Sequence, residues 1–457
     1  MFKSAGLGFL SRSFSVLSNI IIIPLILKHL TANDFSLWML FISFYSLVII
    51  FDFGFSSTIS RYLSFILSGV TLKQLYNNEN PEEINKESID LQALQALIRI
   101  NNYIFHILAL FAIIVLSLVY MYYDIIVKLE LSSEDKIAWL IFSSSIFFQL
   151  ISIKYNGYLH GSGNVSKIYR NTIFSTVIFF VLAFLFIDLQ FPLVGLCLAR
   201  AISSLAMLIL NASSSTKLNF IRQVTENAVQ KDGIDNSKFK ILLKIIRSKS
   251  LLLGFGGLGN FICNRTTIIV LTSVVAMDNI AGVSFVINLS ITILSVSLIL
   301  INNAIPNLVQ YRAFGQYNKL FSLFYRVVVL SICFYSFSYI LMVTALPELI
   351  KFTNSKIIIP SFFVLSLCFF IFLIELIQSL SMCFIATSNN VSFTKYQFIT
   401  GVMFLLICAT LSYFGHATLI NILLTQLAVQ CIYNAWKWPL IVYLENVKVK
   451  HLTRGFK

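Results

Sequence analysis

Charge is what this 457-residue chain has least of: Asp, Glu, Lys and Arg make up 11% of it, against roughly 25% in a typical soluble domain. With 58% hydrophobic residues, such a chain cannot cover itself with polar surface, so its solvent is a bilayer. Histidine is scarce and scattered, at His29, His106, His160, His416 and His451. Neither a His/Cys metal cluster nor a Ser-His-Asp constellation can be assembled from that spacing. The seven cysteines fall singly inside apolar runs, with no spacing that suggests zinc or a disulfide framework, and read as small packing residues.

Nucleotide chemistry is missing too. "HGSGNVSK" is too short and wrongly spaced for a phosphate-binding loop, and no ATP-binding cassette is encoded. A literal G-x-G-x-x-G occurs at Gly254, Gly256 and Gly259, with Asp278 about twenty residues on. No strand precedes it, however, and "LLLGFGGLGNFICNRTTIIV" is an apolar span, so these glycines are expected to permit close helix packing or bending. Long alternating stretches, the mark of a transmembrane barrel, do not occur. The reading is therefore all-α, and no acid, base or metal set supports an enzyme.

Apolar runs of about twenty residues are long enough to cross a bilayer core of about 30 Å as helices. We place spans at 5–27, 36–58, 101–122, 138–158, 171–187, 191–212, 250–273, 281–304, 325–346, 359–384, 397–414 and 418–441. The net charge of +14 could suggest nucleic acid, but its distribution points to membrane orientation. With both termini cytoplasmic, only Lys28, Lys128, Lys136, Lys351 and Lys356 fall in outside loops, as the positive-inside rule requires. The N-terminus is apolar well beyond a signal-peptide core and reads as an uncleaved first helix.

Residues 1–212 form an expected N-lobe of helices one to six, 213–249 a basic cytoplasmic linker, and 250–457 a C-lobe of helices seven to twelve with a tail. The linker, rich in Lys and Arg, suits a connector or a surface helix lying against anionic lipid. The halves look duplicated. "PLILKHLTANDFSLWMLFISFYSLVIIFDFGF" has a counterpart in "IIVLTSVVAMDNIAGVSFVINLSITILSVSLIL", each with an aspartate in a short turn, Asp34 and Asp278, 244 residues apart. Helices three and nine both begin with an arginine, in "LIRI" and "FYRV". Two parallel six-helix lobes are a transporter architecture, with the substrate site between them.

Pro24, the pair Leu37-Trp38, the element Asp52-Phe53-Gly54 and Arg61 together resemble the N-terminal signature of Wzx-type O-antigen flippases, the polysaccharide-transporter branch of the MOP superfamily. The close likeness covers about the first 65 residues; the turn "TANDFSLW" lacks the glycines usual there. The resemblance implies a MOP/MATE-like fold in the bacterial inner membrane. It also implies a lipid-linked oligosaccharide substrate on undecaprenyl pyrophosphate, bilayer lipids as surroundings, and an O-antigen polymerase and a chain-length regulator as candidate partners.

The ionisable groups that stand out inside the spans are Arg12, Asp52, Arg200, Arg265, Glu375 and Lys437. Each costs about 2.5–3.5 kcal/mol at a lipid-facing helix centre, so they should face one another or water. Arg12, Ser15 and Asn19 share a helical face, as do Asn260, Asn264 and Thr267, with Arg265 about 100° round from Asn264. The triples Glu375, Gln378, Ser379 and Gln430, Asn434, Lys437 are two further faces, and Arg200 meets Ser203 and Ser204. For Arg12, Arg200 and Arg265 the alternatives are a substrate cavity or internal pairing to Asp52 or Glu375; Lys437 either joins the cavity or snorkels to the interface. Asp52 and Arg61, near a helix end, are capping, interfacial or coupling groups.

Guanidinium groups hold pyrophosphate by charge-assisted, often bidentate hydrogen bonds, and four intramembrane cations outnumber two carboxylates. The expectation is a flippase with Arg12, Arg200, Arg265, Asn19, Asn260, Asn264 and Lys437 on substrate. With no cofactor and no ATP motif, uphill transport requires H+ or Na+ coupling, at Glu375 or Asp52, or product removal. A MATE-like exporter of small molecules is the alternative. A membrane polysaccharide polymerase fits less well, since the longest outside loop, 123–137, is short.

Overall fold

A computed structural model describes residues 11, 14, 22–46, 52, 54–67, 90–123, 132–189, 191–222, 236–275, 277–355, 357–388 and 392–454. Among them there is no strand. The helices are α1 (Ala32–Tyr45), α2 (Phe55–Leu67), α3 (Leu91–Met121), α4 (Ser133–Gly161), α5 (Val165–Asp188), α6 (Pro192–Thr216) and α7 (Asn236–Val274), followed by α8 (Met277–Ser297), α9 (Ile299–Ala313), α10 (Tyr317–Phe352), α11 (Phe362–Ala386), α12 (Phe393–Tyr413), α13 (Leu419–Ile432) and α14 (Asn434–Arg454).

Nine helices among the described residues are long and apolar enough to cross a bilayer, and the chain is an all-α polytopic membrane protein. Its surface is apolar and part of its interior polar. Leu110 and Leu118 on α3 are each 60% exposed, while Asn101 of the same helix is fully buried. Several helix starts are closed by side chains, which give the orphan N–H groups there a partner. Asp90 accepts from Ala93 N at 3.0 Å at the head of α3. Ser132 and Asp135 form a reciprocal capping box on α4, and Thr31 accepts from Asp34 N at 3.2 Å before α1.

Four expectations change. The second span is not one continuous helix over 36–58: α1 ends at Tyr45 and α2 begins at Phe55. Gly54 there has φ 71°, a conformation nearly closed to residues with a Cβ. The twelfth is interrupted at Tyr433, φ −137°, between α13 and α14, and the eighth passes through Leu298 between α8 and α9. From Asn236 the basic stretch is already part of α7. Its apolar side is buried in protein, with Leu242 and Ile246 fully covered in a core built from α2, α3 and α4. Lys240, Lys244 and Arg247 remain exposed. Arg99 lies over Phe239 at 5.7 Å, and Lys238 pairs with Asp90 at 2.8 Å.

The chain divides into two compact units, one of Met1–Ile23 and Phe44–Gly254, the other of Pro24–Ser43 and Phe255–Lys457. In the first, α6 packs on α4 and α5, and α4 on α2 and α3. Gly157 and Gly161 put the α2–α4 seam at backbone distance: a Cβ on Gly161 would lie 2.7 Å from Ser60 O. Ser64 Oγ donates to Gly161 O across it at 2.8 Å. In the second, α11 is central, touching α8, α9, α10, α13 and α14, and Phe35 of α1 packs edge-on against Phe285 at 5.6 Å. Here Gly256 and Gly259 meet α12, where a Cβ on Gly259 would sit 2.4 Å from the Gln397 carbonyl. These are packing glycines.

Candidate functional site

In the first unit, Arg200 on α6 is half-buried, with its guanidinium 4.2 Å from the Tyr45 ring centre and 5.0 Å from that of Phe179. Aromatic faces stabilise the cation without neutralising it. Ser203, the neighbour expected to meet it, instead bonds α5: its hydroxyl donates to Ser175 O at 2.8 Å. Deeper in the same interface, Asn211 donates to Ser152 Oγ at 3.0 Å and Asn156 Oδ1 at 3.1 Å, and accepts from Asn171 at 2.8 Å. That amide is fully engaged and ties three helices together. Lys154, which the sequence reading did not single out, is 7% exposed, with Nζ 4.7 Å from the Tyr155 ring centre. A lysine inside the 138–158 span was the signal for it.

In the second unit, Arg265 reaches from α7 to α8, where Nη1 donates to Asn288 Oδ1 at 2.6 Å. Asn288 in turn donates to Ser284 O at 2.9 Å and approaches Met39 Sδ at 3.2 Å. Asn288 is thus a positioning residue that sequence reasoning missed, since a lone Asn in an apolar helix announces no partner. Glu375 on α11 is 1% exposed. It accepts from Gln378 one turn on, from Ser379 at 3.4 Å, and from Gln430 of α13 at 3.3 Å. The Oε1 atoms of Gln378 and Gln430 are buried without hydrogen-bond partners. Among the described residues no three His, Cys, Asp or Glu gather to hold a metal.

The face expected from Gln430, Asn434 and Lys437 splits, because the break at Tyr433 changes the helix phase. Gln430 turns to Glu375, and Asn434 donates to Thr400 at 2.8 Å while accepting from Trp438 at 3.0 Å. Lys437 lies over Tyr433 and Trp436 at 5.9 and 5.8 Å. Thr267 donates to Gln426 at 2.8 Å rather than marking an open polar face. Asp52 accepts from Ser56 N at 2.9 Å, the capping geometry for α2, and Arg61 is exposed over Phe65 at 5.5 Å. Arg12, Ser15 and Asn19, and the side chains of Asn260 and Asn264, lie outside the described residues.

Two ion pairs are described, Asp90–Lys238 and Arg312–Glu445, the latter at 2.6 Å. Neither uses Asp52 or Glu375. Among the described residues, the expected alternative of pairing Arg200 or Arg265 with those carboxylates is therefore not what the structure contains.

No family model and no curated protein matches the sequence. Solved structures do. An inward-facing multidrug resistance MATE family transporter of the MOP superfamily superposes with a TM-score of 0.63 at 13% identity, covering 97% of this chain and 96% of the other. The chain shares the fold of that transporter. The lipid II flippase MurJ, in an inward closed conformation, gives a TM-score of 0.54 at 13% identity over 98% of this chain and 90% of its own. The Vibrio cholerae MATE transporter VcmN in its bent form gives 0.52 at 14% identity over 99% of both. All three are transporters or flippases.

Proposed function

We propose that this MOP-fold chain is a flippase that moves undecaprenyl-pyrophosphate-linked O-antigen repeat units from the cytoplasmic to the periplasmic leaflet of the bacterial inner membrane. Both termini are cytoplasmic, and transport proceeds by alternating access through a cationic cavity. The observation that carries this reading is the state of Arg200 and Arg265. Each lies within a span, and each is held by rings or by a neutral amide rather than by a carboxylate. A neutralised arginine would be a structural ion pair; these two keep their charge for an anionic ligand. The lipid-linked substrate class follows the resemblance of the N-terminal segment to Wzx-type flippases, and an O-antigen polymerase and a chain-length regulator are the proposed partners.

Glu375 is the proposed coupling group, for H+ or Na+. A carboxylate in a fully buried amide cluster is costly when ionised. Protonating it gives one of the orphan amide oxygens a donor, and a bound monovalent cation would satisfy the same oxygens. That cluster equally favours a second reading, an ion-coupled MATE-like exporter of small molecules.

The deciding experiment follows lipid-linked O-units in cells and in proteoliposomes. Loss of the chain should trap them in the inner leaflet. Arg200→Ala and Arg265→Ala should each slow flipping by about 10- to 100-fold, the weight of one charged hydrogen bond of about 1.5–3 kcal/mol. Arg265→Lys should recover only part, because it lacks the planar fork. Normal O-antigen display by both alanine variants at wild-type protein levels overturns the cationic-cavity mechanism.

A further inference from the structure

On α9 the second unit carries polar side chains that its own packing does not use. At 3.6 residues per turn, Asn303, Asn307, Gln310 and Phe314 fall within about 60° of one another, and all four are exposed. Phe314, just past the end of α9, keeps the helical phase, its N–H donating to Gln310 O at 3.0 Å. We propose that this stripe is the sugar-recognition surface for the transported O-unit, with the amides bonding hydroxyls and Phe314 stacking on the apolar face of a ring. That the glycan arrives on a lipid carrier rests on the flippase reading above.

Elsewhere the fold pairs its amides. Asn101, Asn171, Asn211, Gln426, Gln430 and Asn434 are each at most 2% exposed, and each makes a side-chain hydrogen bond. The α9 amides instead stand outside, and their side chains bond no other described residue. The rotation of the helix is fixed by its other side, where Ile301, Ala304 and Leu308 are buried. Asn303 lies within the apolar stretch Ile280–Ile305, which is long enough to cross a bilayer. An unpaired carboxamide is costly against hydrocarbon, so this face meets water. Leu300 and Val309, both exposed, bound the stripe on its two flanks.

The lining chemistry selects a neutral, hydroxyl-rich ligand. A carboxamide both donates and accepts, which matches sugar hydroxyls that do the same. No charge lies on the stripe: Arg312 is about 180° round the helix from Asn303, where Glu445 takes it at 2.6 Å. Nothing here selects pyrophosphate. Phe314 is 66% exposed, a free aromatic face at the end of a row of amides. From Asn303 to Phe314 the stripe runs about 16 Å at 1.5 Å per residue, room for more than one sugar ring. In the proposed orientation it descends toward the cytoplasmic side, where the glycan is before it crosses.

A cysteine in the stripe reports its occupant. Full-length Asn307→Cys, in a background carrying Cys333→Ala and Cys431→Ala at the exposed cysteines, is placed in nanodiscs and treated with a water-soluble maleimide. It should label readily, and the free oligosaccharide released by mild acid from the cells' own lipid-linked O-units should protect it. Adding Asn303→Ala and Gln310→Ala should weaken that protection about tenfold, the weight of one or two neutral hydrogen bonds. No labelling refutes a water-facing stripe. No protection, or protection by inorganic pyrophosphate in place of the oligosaccharide, refutes the sugar site. In proteoliposomes the Asn303→Ala, Gln310→Ala protein should lose the wild-type preference for a carrier bearing the whole O-unit over one bearing a single sugar, and an unchanged ratio overturns the proposal. If the wild-type chain flips no lipid-linked O-unit while the oligosaccharide still protects Asn307→Cys, the flippase reading falls and the sugar site stands.

Discussion

Two glycines two residues apart on α7 should respond to the same substitution in opposite directions. A methyl on Gly259 would lie 2.4 Å from Gln397 C and O and Phe398 N, all backbone atoms of α12. Ordinary carbon contacts begin near 3.5 Å, so the helices must separate by about 1 Å; no rotamer change can relieve a clash with main chain. Overpacking of this kind costs about 1–3 kcal/mol, and the backbone location puts Gly259→Ala at the upper end. The seam has little slack, because Gly401 faces it from α12 with Gly259 O 3.1 Å from its would-be Cβ, and Phe255 stacks edge-on against Phe398 at 5.3 Å. A methyl on Gly257 would meet nothing within 4 Å, so Gly257→Ala should be neutral or gain up to about 1 kcal/mol of helix propensity. The two variants should therefore differ by about 3–4 kcal/mol. Thermal unfolding of each purified protein in nanodiscs, read by circular dichroism, tests this. Equal melting of the two would refute the α7–α12 seam.

Glu375→Gln should remove any dependence of flipping on an imposed proton gradient in proteoliposomes, while Asp52→Ala, which removes the α2 cap, should lower stability by about 1 kcal/mol and leave that dependence in place; the reverse pattern transfers coupling to Asp52. Burial pushes the Asp90 carboxyl up, but the Lys238 ammonium and the Ala93 N–H outweigh it and hold the group below its ordinary 3.8. Its stabilisation is thus fully present above pH 3.8 and lost as pH falls through the lower folded value. Asp90→Asn should flatten the acid limb of the melting curve there, and an unchanged limb would show the pair to be inert. Single cysteines placed at the exposed Ser133 and Asn318 should label from the periplasmic and cytoplasmic sides respectively; labelling of both from one side overturns the proposed orientation.

The membrane class was legible from composition alone, because apolar runs of bilayer length with 11% charge leave the chain no other solvent. Helix starts set by polar caps lie outside the apolar runs, so α3 and α4 begin at Leu91 and Ser133, ten and five residues before the spans placed at 101–122 and 138–158, and breaks were lost where they depended on backbone conformation rather than residue class. Gly54 and Tyr433 are such breaks: neither disturbs hydropathy, yet one adopts φ 71° and the other φ −137°. The intramembrane charges were found by their rarity, Lys154 excepted. Their partners were not, because Asn288 and Gln430 are distant in sequence from Arg265 and Glu375 and share no local pattern with them.

By itself, then, the sequence determined the solvent, the helical class and which side chains are too expensive to leave in lipid, since all three follow from transfer free energies that act residue by residue. Only the tertiary structure decided what each of those side chains meets. It turned Gln430 onto Glu375 and away from Lys437, set Arg200 on aromatic rings and Arg265 on an amide, and buried the apolar side of the basic 236–249 stretch in protein. The physical reason is that a helix presents its side chains in a phase fixed by where it starts, and that phase acquires meaning only when another helix packs against it.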